Sequence, residues 1–127
     1  MKIKFKRGIN SNQEFLIAKK FSEFLPEDHM AKTIYDIIER LNLSNIEEKY
    51  SEVGQNAYNP KMMVRLLFYG YANGVRSSRK ISKGCENGFD FAFLADGFKP
   101  SHDRISDFRK DNLKELKDIF NLNSAKI

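Results

Sequence analysis

Apolar positions recur at helical spacing along most of the chain, and the intervals between them are marked by helix start and stop residues. Met30, Ile34, Ile37, Ile38 and Leu41 form one such stripe. Pro26, followed by Glu27 and Asp28, predicts its start, with proline in the first turn and acids near the positive end of the dipole. Ser44 and Glu47 have capping-box spacing and predict a short second helix reaching about Tyr50. The stretch SEVGQNAY is turn-like. Asn59-Pro60 predicts the next start, and from Met62 to Ala72 only Arg65 and Gly70 are neither apolar nor aromatic. A helix apolar on nearly all sides is a buried one, so residues 60–73 are expected to be the central helix, closed by Gly74.

The second half reads as three more helices. Ser77 or Ser78 caps a helix over about 78–86, with Ile81 and Cys85 inward and Arg79, Lys80 and Lys83 elsewhere. Phe89–Ala95 is a short aromatic helix, with Asp90 a candidate cap and Gly97 its end. Lys99-Pro100 is a turn, and Ser101 caps a last helix with Ile105, Phe108, Asn112, Leu116 and Ile119 on one face. No pair of segments reads as strands. The expected fold is all-α, with about six helices and a helix-turn-helix-like unit in the C-terminal half.

Residues 1–25 form a basic arm with little periodicity, in which Phe15, Leu16, Phe21, Phe24 and Leu25 are candidate anchors to the core. A helical domain is expected over 26–121 and a disordered tail over 122–127. With 127 residues and 41% apolar content, one domain with one core is expected. No apolar run approaches the length of a membrane span, and the basic start lacks the apolar stretch of a signal peptide. A single cysteine excludes an internal disulfide and suits a reducing compartment, so a cytoplasmic protein is expected.

The net charge of +5 is unevenly distributed. Residues 1–26 carry +4, 27–59 carry −4, 60–110 carry +5, and the remainder is neutral. A basic second half favours a polyanion, most often nucleic acid. The layout of residues 77–120 matches a helix-turn-helix, whose third helix offers its first turns to the major groove. His102, Arg104, Ser106, Arg109 and Lys110 are its candidate base and phosphate contacts, arginine being suited to a bidentate contact with guanine. Arg76, Ser77, Ser78, Arg79, Lys80 and Lys83 surround a helix start that can hold a backbone phosphate. Arg76 is also read as a structural tether, and Ser77 and Ser78 as caps.

Asp90, Asp96, Asp103 and Asp107 could suggest a metal-dependent nuclease. Asp90 and Asp96 occupy cap-like positions, and Asp103 and Asp107 alternate with arginines, so capping and surface pairing account for them better. No Cys/His cluster at zinc spacing and no phosphate-cradling glycine motif occurs, so no metal, cofactor or catalytic residue is expected. Cys85 reads as a small core residue.

Four blocks carry a family resemblance: NSNQEFL (10–16), FLPEDHMAKTIYDIIERLNL (24–43), YSEVGQNAYNPKMMVRLLFYGYANGVRSSRKI (50–81) and FDFAFLADGFKPSHDRISDFR (89–109). The most specific is the second long block, with Tyr58-Asn-Pro60, a leucine-aromatic helix, Gly70-Tyr71, Gly74 and Arg76-Ser-Ser-Arg79. The chain resembles the N-terminal region of bacterial insertion-sequence transposases of the DDE class. The resemblance implies a helical domain that recognises the terminal inverted repeats of a mobile element. A following RNase-H-like domain with three carboxylates and two metals would cut and join the DNA. The sequence ends at Ile127, before those carboxylates, so no residue here inherits that role. The expected partners are double-stranded DNA and a second copy or a full-length transposase. The alternative function is a truncated protein that dimerises with the full-length enzyme and inhibits it.

Overall fold

A computed structural model describes residues 20–50 and 58–123. These include seven helices whose bounds are defined, besides helical residues 20–22, and there is no strand among the described residues. They are α1 (Met30–Arg40), α2 (Ser44–Tyr50), α3 (Pro60–Ala72), α4 (Ser78–Asn87), α5 (Phe89–Leu94), α6 (His102–Asp111) and α7 (Leu113–Asn123). The all-α expectation is met.

Helix α3 is the hub. Asn59 caps it by accepting from the Lys61 amide, and Pro60 occupies its first turn. Every residue from Met62 to Gly70 is buried. Met62, Val64, Leu66 and Phe68 are at or near zero exposure, and burial of each contributes about 1.5–3 kcal/mol. The other helices pack around this rod: α1, α2, α4, α5 and α6 touch it directly, and α7 reaches it through Phe120, which stacks on Phe68. The helix stops in a Schellman turn. Gly74 takes φ +73, its amide reaches Tyr71 O, and the Val75 amide reaches Gly70 O at 2.7 Å.

Four expectations are corrected. Helix α1 begins at Met30, because Pro26 heads a turn closed by the His29 amide. His29 Nδ1 then caps the helix, accepting from Ala31 at 3.0 Å. Ser44 lies inside the first turn of α2, and Asn42 Oδ1 takes the Ser44 amide instead. The expected last helix is two helices. They break at Asn112, which is fully buried and turns its side-chain amide onto Phe108 O, in competition with the backbone ladder. Asp90 and Asp96 have partners across the fold rather than simple caps. Gly88 is the cap position of α5, without a side-chain bond. Asp90 accepts from its neighbour Phe91 N and, at 2.7 Å, from Tyr69 OH on α3.

Phe21 and Leu25 pack on the core, as expected of arm anchors, and Phe24 stacks on Phe89 at 4.6 Å. Phe15, Leu16 and the turn-like 51–57 stretch lie outside the described residues. Helix α7 runs to Asn123, two residues into the expected tail; residues 124–127 also lie outside.

Candidate nucleic-acid interface

Helices α4, α5 and α6 follow one another with short connections, and α4 packs against both of the others. Ser77 is the cap of α4, accepting from the Lys80 amide at 3.3 Å. Ser78 is the first helical residue, half-buried. Ile81 and Cys85 are buried, which leaves Arg79, Lys80 and Lys83 exposed on the opposite face. Ser82 Oγ donates to Pro100 O at 2.8 Å, tying α4 to the segment that leads into α6. Ser101 then caps α6 by accepting from the Arg104 amide.

Helix α6 buries Ile105 and Phe108. Helical spacing places Asp103, Ser106, Asp107 and Lys110 farthest from that buried edge. The outermost strip therefore carries two acids and one cation, whereas the α4 face carries three cations and, by the same spacing, one exposed acid, Glu86. His102 Nδ1 lies 3.3 Å from Asp103 Oδ1. The two arginines sit on opposite flanks. Arg104 lies over the Tyr58 ring at 6.0 Å and lines a shallow pocket with Asp107 and Asp111. Arg109 is half-buried, and that burial lowers its guanidinium pKa. It shares a groove with Arg76 between α3, α6 and α7.

Of the eleven candidate residues, Ser77 and Ser78 open α4 as its cap and first residue, and the other nine occupy three places. Arg79, Lys80 and Lys83 share the α4 face. Arg104 stands on one flank of α6, with His102, Ser106 and Lys110 along its exposed side. Arg76 and Arg109 meet in the groove, together with Lys117 of α7, which the sequence reading missed.

The acids have structural occupations. Asp96 Oδ2 accepts from Arg65 Nη2 and its Oδ1 from Tyr35 OH, both at 2.7 Å. Asp90 receives Tyr69 OH. Burial, reinforced by the neighbouring carboxylates, raises the pKa values of both phenols. Burial also pushes the Cys85 thiol up to about 12, helped by Asp90 and Glu86, so it is protonated and unreactive at neutral pH. Among the described residues, no group of three or more His, Cys, Asp or Glu side chains is placed to hold a metal ion. No helix among them is long and apolar enough to cross a membrane.

The described residues define the class, an all-α domain with a cationic stretch on α4. Residues 19–111, most of the chain, match the family described as Transposase domain (DUF772), and the chain belongs to that family. Comparison with curated proteins and with solved structures gives no significant match.

Proposed function

We propose that the chain is the end-recognition part of a DDE-class insertion-sequence transposase and binds duplex DNA at the element's terminal inverted repeats. The observation that carries the reading is the α4–α5–α6 unit, with Arg79, Lys80 and Lys83 together on the exposed face of α4. Phosphate contacts position a protein on the duplex and base contacts specify the site. In this reading α4 supplies the phosphate contacts. Helix α6, held in register by the Ser82–Pro100 bond, presents Arg104, Ser106 and Lys110 to base edges, with His102 at its start. Asp103 and Asp107 on the same helix favour donors such as the cytosine amino group.

Strand cutting and joining are assigned to another part of the transposase. The engagement of Asp90 and Asp96 with Tyr69, Tyr35 and Arg65 supports this, because those carboxylates already serve the fold.

Fluorescence anisotropy with terminal-repeat duplex tests the reading. Binding should weaken steeply with salt, corresponding to about 3–6 neutralised phosphates. Lys80→Ala should weaken binding to all duplexes alike, and Arg104→Ala should relax the preference for the repeat. Undetectable duplex binding at low salt would overturn the proposal.

A further inference from the structure

Three aromatic rings form a ladder from the core to the surface. Phe68, fully buried on α3, stacks on Phe120 of α7 with ring centroids 5.0 Å apart and 13° between planes. Tyr71 stacks on the same Phe120 at 5.1 Å and 29°. Tyr71 is the outer rung and is 44% exposed. An exposed ring fixed by a stack beneath it is a rigid platform, already ordered before anything binds.

The ladder opens into the groove between α3, α6 and α7, which has a volume of about 290 Å³. Leu67, Val75, Leu113 and Leu116 make its apolar wall, and Arg76, Arg109 and Lys117 are its charged groups. No acid lines it, and none of the three cations makes an ion pair among the described residues. The groove therefore suits an anion that also carries a flat apolar surface. The basic N-terminal residues of the same chain have the wrong charge for it.

We propose that this groove takes one unpaired nucleotide of a DNA single strand. Its base would lie against Tyr71 and its phosphates among Arg76, Arg109 and Lys117. Stacking on an aromatic ring tolerates every base, and the apolar wall offers no hydrogen-bonding set to select one. A base inside a duplex has both faces covered by its neighbours, so the site discriminates for frayed or single-stranded DNA. The inference shares the DNA reading above but uses different residues from the α4 face, so either can fail alone.

The test is binding of the full 127-residue chain to a fluorescent thymidine octamer, against an abasic octamer of equal charge and a blunt duplex. The thymidine octamer should bind about 10-fold more tightly than the abasic one. Tyr71→Leu should remove that advantage and Tyr71→Phe should keep it. Arg76→Glu, at an exposed position beyond the end of α3, should weaken octamer binding by about 10-fold or more. Lys80→Ala should leave the thymidine advantage intact while weakening the duplex; a wild-type chain that binds the octamer but no duplex would count against the α4 reading and not this one. Equal affinity for the abasic octamer would show phosphate attraction only and overturn the proposal. So would unchanged binding by Tyr71→Leu, or displacement of the octamer by an acidic leucine-rich peptide at lower concentration than by unlabelled thymidine octamer.

Discussion

Arg65 and Asp96, 31 positions apart in sequence, meet at 2.7 Å in the centre of the fold. Arg65 is the one charged side chain of the central helix that is fully enclosed, 2% exposed. Its guanidinium is satisfied on every side that the core presents. Nε donates to Leu94 O, Nη1 to Glu39 and Nη2 to Asp96, and the Tyr35 ring covers its face at 4.0 Å. Asp96 holds the left-handed position that closes α5, at φ +52, a conformation that ordinary residues resist. The ion pair and the Tyr35 hydrogen bond keep the chain in that turn, so α1, α3 and α5 are locked through one residue.

The two halves of the pair should not be equally costly to lose. Asp96→Asn leaves a charged guanidinium in the core with one carboxylate fewer, and breaking a buried pair in this way costs about 3–5 kcal/mol. Arg65→Met removes the buried charge itself. The Asp96 and Glu39 side chains that remain are 22% and 46% exposed and can be hydrated. Arg65→Met should therefore cost less than Asp96→Asn in urea unfolding. The opposite order would show that Asp96, rather than Arg65, is the desolvated member.

Gly84 lies where α4 meets α5. A β-carbon there would stand 2.5 Å from Phe91 Cδ2, inside any allowed contact. Alanine would gain about 1 kcal/mol in helix propensity, but Phe91 is buried and cannot move aside without disturbing the core. Overpacking of this kind costs about 1–3 kcal/mol, so Gly84→Ala should be neutral to destabilising rather than stabilising. Combining it with Phe91→Leu should recover part of the loss, giving a favourable coupling between neighbouring sites in a double-mutant cycle. Additive effects would place the clash elsewhere.

The pattern of the sequence carried the elements well and the polar connections poorly. Central burial of α3 was legible because Met62 to Ala72 is almost wholly apolar, and the caps at Asn59 and Ser101 were legible because their bonds are local. Asp96 reads as a cap because it and Asp90 flank the short aromatic helix; its partners are 31 and 61 positions away, and no local pattern reports them. The lone Arg65 in an apolar helix was the available signal, since an enclosed guanidinium requires a carboxylate. Asn112 fitted the apolar stripe of a single helix. It is buried as that stripe requires, but its amide also serves Tyr50 OH and Phe108 O, and its Oδ1 accepts from Lys49. Charge composition identified a cationic second half, yet the division of those cations between the α4 face, the Arg104 flank and the Arg109 groove depends on tertiary placement.

One buried phenol, two half-buried ones and a buried thiol make the stability of the domain fall at alkaline pH. Burial is the leading cause of the raised pKa at Tyr35, Tyr50, Tyr69 and Cys85. The ordinary values are 10.0 for tyrosine and 9.0 for the thiol. Below pH 9 each group is protonated in both the folded and the unfolded chain, so its full contribution to stability is present. Above pH 9 for Cys85, and above pH 10 for the tyrosines, the unfolded chain releases the proton first. The folded state then binds more protons, and stability falls as pH rises, most through Cys85 and Tyr69, which are buried, and less through Tyr35 and Tyr50, which solvent reaches. Urea unfolding measured between pH 7 and 11 should therefore show stability level at first and declining beyond pH 9, more steeply beyond pH 10. Cys85→Ala should delay the onset, and Tyr69→Phe should reduce the later slope while losing the bond to Asp90. A thiol reagent at pH 8 should label Cys85 only as fast as the chain unfolds. Rapid labelling of the native protein would show that the α4–α5 contact opens locally.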